Sequence, residues 1–233
     1  MILLGSIISL LGTTLGALIG ISIRKPSKKL LGALIGFSGG LMFSVVVFDL
    51  IPEALQNWSF INTILTCICS IILVSLIDSR LQHDKMDKHI KMAFITAIGL
   101  MIHNLPEGVI MGCGFAAGSS LGIKMSLIIA IHDIPEGIAV AAPLMASKIK
   151  PWKILFYTII TATPTILGTL IGAYIGKLST NALGLSLSFA SGIMLYVVCG
   201  EMIPESSRLW EGVSSTLGVL AGVILGLIII TII

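Results

Sequence analysis

Charge is scarce in this sequence. Asp, Glu, Lys and Arg make up 11% of its 233 residues, where a soluble domain carries roughly a quarter. A freely soluble globular domain is therefore excluded. The formal net charge of +3 gives no case for nucleic acid as a partner. Cysteine is nearly as sparse: Cys67, Cys69, Cys113 and Cys199 stand in apolar surroundings and form no Cys-x-x-Cys pair. On a helix Cys67 and Cys69 project from different faces, so all four read as reduced packing residues rather than thiolate ligands. The His-Glu-x-x-His pattern of helical zinc enzymes is also missing. No basic stretch precedes the first apolar run, which is read as a membrane helix rather than a cleaved signal.

What remains is apolar. Hydrophobic residues are 56% of the chain and the mean hydropathy is +1.08. A spanning helix needs ~20 apolar residues, and the chain holds eight such runs: about 2–23, 30–52, 60–77, 92–117, 121–146, 154–175, 182–203 and 213–233. The expected fold is an all-α integral membrane protein forming one transmembrane domain over 1–233. Polar residues 78–91 form a loop containing His83 and His89. Gly12, Gly16 and Gly20 recur every four residues on the first helix, a spacing that lets helices approach closely in lipid.

Orientation follows from the cations. Arg24, Lys25, Lys28, Lys29, Arg80, Lys85, Lys88, Lys91, Lys148, Lys150, Lys153 and Arg208 fall on one side, 12 of the 14 Lys and Arg residues. Lys124 and Lys177 fall on the other. Positive loops stay in the cytoplasm, so both termini are expected outside.

The sequence also repeats internally. Gly40-x-Met42-x-x-Val45-Val46-x-x-Asp49-Leu50-Ile51-Pro52-Glu53 returns as Gly192-x-Met194-x-x-Val197-Val198-x-x-Glu201-Met202-Ile203-Pro204-Glu205, at a constant offset of 152. With eight helices the two copies run in opposite directions. That implies three helices, a central pair and three more, with inverted repeats around a midplane site.

The central pair carries the chemistry. His103-Asn104-Leu105-Pro106-Glu107-Gly108 on the fourth helix is matched by His132-Asp133-Ile134-Pro135-Glu136-Gly137 on the fifth. Within each copy the His and Glu are four residues apart and share a helix face, with the amide or carboxylate about 100° around. Proline removes a backbone donor and frees the carbonyl four residues earlier. One copy alone is compatible with a kink and a polar packing network. Two copies inside apolar helices point to a bound ion, because uncompensated ionisable groups there are costly. Imidazole with carboxylate suits Zn²⁺, Fe²⁺, Mn²⁺, Co²⁺ or Cd²⁺. Without thiolates, binding is weaker than in a structural zinc site, as release requires.

These motifs resemble the signatures of the Zrt/Irt-like (ZIP) family of divalent-metal transporters, in a prokaryotic form. The likeness covers nearly the whole chain: helix number, termini, the His-bearing loop and both Pro-Glu-Gly motifs. It implies that His103, Asn104, Glu107, His132, Asp133 and Glu136 form the transport site, with Glu107 and Glu136 placed to bridge two ions. Prokaryotic members often carry a further Glu on the sixth helix, where this sequence has Thr165, so a second metal position lacks a charged ligand.

The expected function is movement of a divalent cation into the cytoplasm, the metal being cargo rather than a resident cofactor, in a cell-membrane protein whose other partner is the lipid bilayer. A homodimer is compatible with the sequence. Asp49 and Glu53 stand where they could attract ions at an outer entrance, and Asp78, Glu201 and Glu205 where they could form an exit. Met42 and Met194 are candidates for lining the path. An ordinary helix-end or packing role competes for each of these residues. Arg208 is expected to pair with Glu205 and Glu211 at the surface. Movement of one three-helix element against the other could supply alternating access. An intramembrane metalloenzyme using the same ligands to activate water or dioxygen is the runner-up.

Overall fold

The computed structural model describes the backbone of residues 2–23, 27–81, 88–146 and 149–232. Side chains at 2, 78–81, 88–100, 102, 103, 132, 135, 136, 139, 142, 143, 145 and 146 fall outside the described set, as do residues 1, 24–26, 82–87, 147, 148 and 233. His83, His89 and Asp78 are among them.

Among the described residues the regular secondary structure is all helical. They form α1 (Ile2–Ile23), α2 (Lys28–Asn57), α3 (Phe60–Leu81), α4 (Lys88–Ala117), α5 (Ser119–Ala146), α6 (Pro151–Gly176), α7 (Thr180–Leu209) and α8 (Val213–Ile232). Six of these, all but α4 and α5, are long and apolar enough to cross a membrane by the described residues alone. Large apolar side chains are exposed along α1, α3, α6 and α8, including Leu11, Leu65, Leu167 and Ile224. This is the distribution expected of faces in contact with lipid.

The largest departure from the expected boundaries lies past Pro52 and Pro204. The sequence places the ends of two helices near these prolines, yet α2 and α7 each continue to Asn57 and Leu209. Both absorb the proline with a π-helical segment just before it, Val46–Leu50 in α2 and Val197–Met202 in α7. There the N–H of Ile51 donates to the carbonyl of Val46, and that of Ile203 to Val198, five residues back. The wider turn accommodates a residue that cannot donate, so the helix continues. The two segments occupy corresponding positions of the 152-residue repeat.

Packing sorts the helices into two groups. α1 packs chiefly on α5 and α4 on α6, with α4 against α5 and α1 against α6. Separately, α2 packs on α8 and α3 on α7, with α2 against α7. Exchanging α1 with α6, α2 with α7, α3 with α8 and α4 with α5 maps this set of pairs onto itself. The consecutive triplets share little surface, so the packed groups are α1-α4-α5-α6 and α2-α3-α7-α8 rather than three neighbours in sequence. Between the groups lies one apolar cluster, with Leu41, Met42 and Val46 of α2 and Leu187, Met194 and Val198 of α7 meeting Ile110 and Met111 of α4 and Met125 and Ile128 of α5. Met42 and Met194, matched in the repeat, are both buried there.

Glycines set the closest helix crossings. A Cβ on Gly108 of α4 would overlap the carbonyl oxygen of Thr165 on α6, and one on Gly168 that of Leu105. At the α5–α1 crossing, Gly137 stands the same way over the carbonyl of Thr13, and Gly16 over that of Ile134. The last glycine of each Pro-Glu-Gly motif therefore lets an outer helix seat its backbone directly against the motif. This is the close small-residue contact that holds membrane helices together where hydrophobic driving force is absent.

Candidate metal centre

The motif residues reach the middle of the first group because α4 and α5 run on through the motif sequences. α4 is helical from Lys88 to Ala117 with Pro106 inside it. Glu107 follows that proline and is completely buried, 0% exposed; Asn104 is 4% and Asp133 2% exposed. Burying a carboxylate among aliphatic side chains is costly unless polar or charged groups compensate.

Two of these groups have assigned partners. The amide nitrogen of Asn104 donates to the backbone carbonyl of Thr161 on α6 at 2.7 Å. Since that partner only accepts, the NH₂ end must face α6, and the amide oxygen is turned the other way. Asp133 Oδ2 accepts from Ser9 Oγ at 2.7 Å and Thr13 Oγ1 at 3.2 Å, both on α1. Thr163 Oγ1 donates to the carbonyl of Ile160 at 2.7 Å, the acceptor that Pro164 leaves without its helical donor.

These contacts extend the internal repeat to residues in which the sequence reading found none. Ser9 and Thr161 are 152 apart, as are Thr13 and Thr165, Gly16 and Gly168, and Gly20 and Gly172. Asn104 and Asp133, equivalent in the two motifs, each bond to the equivalent residue of the adjoining outer helix. The signal was present in the sequence: extending the 152 offset to the first and sixth helices finds all four pairs. Thr165, at the position the family resemblance assigns to a further Glu, is the counterpart of Thr13, a hydroxyl that supports Asp133 from the outer helix. Thr165 itself is buried, and its carbonyl accepts from Thr169 Oγ1 at 2.6 Å.

Among the described residues no three His, Cys, Asp or Glu side chains form a metal-binding cluster. His103, His132 and Glu136 lie outside that set, so Asn104, Glu107 and Asp133 are the candidate ligands the structure locates. The other candidates are spread apart. Asp49 lies in the π-helical segment of α2 and pairs with Lys124 Nζ at 3.9 Å. Glu53, one turn further, accepts from Asn57 Nδ2 at 3.0 Å. Glu201 is exposed in the π-helical segment of α7. Glu205 pairs with Arg208 at the surface.

The hydroxyls on Asp133 give a first prediction. The double substitution Ser9→Ala, Thr13→Val removes both donors to Oδ2. The family resemblance makes Asp133 a metal ligand, and partners of such a ligand are worth ~10–100-fold in affinity, so zinc affinity of the purified protein, measured by dye competition, should fall about tenfold or more. Thr161→Val should leave it within about twofold, because Asn104 uses the Thr161 carbonyl and not its hydroxyl.

Comparison with known proteins identifies the family. Residues 79–230 match the family described as ZIP zinc transporter. The zinc transporter GufA of Myxococcus xanthus is 30% identical over 97% of this chain and 96% of its own length. The zinc transporter ZupT of Corynebacterium aurimucosum is 27% identical over 93% and 91%. The zinc transporter ZIPB of Bordetella bronchiseptica is 28% identical over 94% of this chain and 77% of its own. These relatives are transporters and not enzymes, which removes the metalloenzyme reading. With apolar helices of spanning length, carboxylates buried within two Pro-Glu-Gly motifs and matches over nearly its full length, the chain is a multi-pass membrane protein that belongs to the ZIP zinc transporter family.

Proposed function

We propose that this chain carries zinc, and with it other divalent cations such as iron, manganese and cadmium, across the cell membrane into the cytoplasm. The ion is held between α4 and α5 by His103, Asn104, Glu107, His132, Asp133 and Glu136. The observation that carries this reading is the complete burial of Glu107 on α4, together with buried Asp133 on the equivalent motif of α5. A carboxylate in that position is balanced when a cation is bound, and the ligand set has no thiolate to hold the ion permanently.

All eight helices span the bilayer in this reading, as a single domain in a three-two-three order with inverted repeats and both termini outside. The 12-to-2 division of Lys and Arg supports the orientation. The matched π-helical segments and the self-mapping helix pairs support the repeat. Alternating access is then a displacement of α1-α4-α5-α6 against α2-α3-α7-α8 across the apolar cluster between them. Asp49 and Glu53 attract ions outside; Asp78, Glu201 and Glu205 receive them inside; Met42 borders the route.

The test is uptake of zinc into vesicles carrying the purified protein and a metal-sensitive dye. Zinc-dependent signal above empty vesicles supports the reading, and none rejects it. With Thr165 in place of a carboxylate, equilibrium dialysis of the purified protein should give one zinc per chain. Two tightly held ions would reject the single-site form.

A further inference from the structure

Lys124 is one of only two cations on the outer side in the charge count, and the sequence reading gave it no role beyond orientation. In the structure it joins the two helix groups. It stands in the second turn of α5, the helix that carries His132 to Gly137. Its ammonium lies 3.9 Å from Asp49 Oδ2 on α2 and 3.5 Å from the carbonyl oxygen of Ile230 on α8. Both side chains are largely shielded, Lys124 at 14% and Asp49 at 15% exposed. Among the described residues it makes the one ion pair linking α1-α4-α5-α6 to α2-α3-α7-α8.

The receiving notch is built for a cation. Ile230 lies in the last turn of α8, where carbonyls have no helical donor and the helix dipole favours positive charge. Asp49 adds a carboxylate, and Glu53 follows one turn later on the same helix. The bond to Asp49 is loose: at 3.9 Å it is an ion pair without a hydrogen bond, and among the described residues nothing else donates to Oδ2. A loose contact of this kind can break during each cycle. In sequence the two repeats differ here: Glu201 matches Asp49 at the 152 offset, while the position that matches Lys124 by the 29-residue motif offset is Ile95.

We propose that Lys124 is an ionic latch that fastens the two helix groups at the outer end, its ammonium seated between Asp49 and the C-terminus of α8, and that the site opens outward when this contact breaks. The inference rests on the transport reading above. If the latch holds the outward-open form at a minor population, external zinc binds with an apparent affinity reduced by that fraction. Removing the latch then lowers KM, a gain that damage to folding does not produce.

Vesicle uptake with the lysine variants tests this, wild-type uptake first establishing transport independently. Lys124→Gln should lower the KM for external zinc about three- to tenfold, while Lys124→Arg, which keeps the charge, stays within about twofold of wild type. An unchanged or raised KM in Lys124→Gln, or an arginine variant that behaves like the glutamine one, overturns the latch and leaves the transport reading standing.

Discussion

Replacing Glu107 with Gln should abolish zinc uptake while leaving the protein at least as stable as before. The side chain is completely buried next to Pro106 on the helix that packs against both α5 and α6. Gln keeps its shape and volume and removes only the charge. Substitutions at partners of a metal ligand cost ~10–100-fold, so loss of a carboxylate ligand itself should reach ~100-fold or more. Stability should move the other way. Burial makes a full charge costly to hold, and a neutral isostere of the same shape removes that desolvation cost while keeping the capacity to hydrogen-bond. Uptake at the level of empty vesicles, with a metal-free thermal midpoint equal to or above wild type, is the expected pair of results. A midpoint that falls together with uptake would instead assign Glu107 to holding α4 in place.

Much of this was legible in the sequence because the constraints of a bilayer are coarse and repetitive. Apolar runs set by bilayer thickness placed all eight helices, six of which meet the spanning criteria within the described residues. The motif residues were legible because His, Asp and Glu stand out against an apolar background. The helix ends at Pro52 and Pro204 were read too early, since a proline in sequence gives no sign that a π-helical turn will absorb it. The division into two groups was also hidden. It depends on which glycine faces which backbone, and Gly12, Gly16 and Gly20 look alike until their partners on α5 are known. The roles of Ser9, Thr13 and Thr161 were missed for a different reason. Small hydroxyl residues on apolar helices usually bond to their own helix, as Thr169 does to the carbonyl of Thr165. Nothing local distinguishes Ser9, whose hydroxyl crosses to Asp133.

The same crossings make Gly108 and Gly137 the positions where one added side chain should do the most damage. At Gly108 a Cβ would meet the carbonyl oxygen, carbon and Cα of Thr165 on α6; at Gly137 it would meet the backbone of Thr13, Gly16 and Ala17 on α1. Backbone cannot rotate away as a flexible side chain can, so the helices must separate. Overpacking of a dense interior costs typically ~1–3 kcal/mol, and Gly108→Ala should fall at the upper part of that range. Gly108→Val adds two further methyls to the same overlap and should leave little monodisperse protein on size exclusion in detergent. Gly137→Val should behave alike, because its environment repeats that of Gly108. Gly118, between α4 and α5, has no atom within 4 Å of the added Cβ, so Gly118→Ala should leave the thermal midpoint nearly unchanged. The pattern reaches the metal centre as well. Separating α6 from α4 withdraws the Thr161 carbonyl from Asn104, and separating α1 from α5 withdraws Ser9 and Thr13 from Asp133. Any Gly108→Ala or Gly137→Ala protein that survives purification should therefore bind zinc more weakly, even where its fold is intact. Wild-type affinity in a well-folded Gly137→Ala protein would mean that the crossings hold the helices together without setting the geometry of the site.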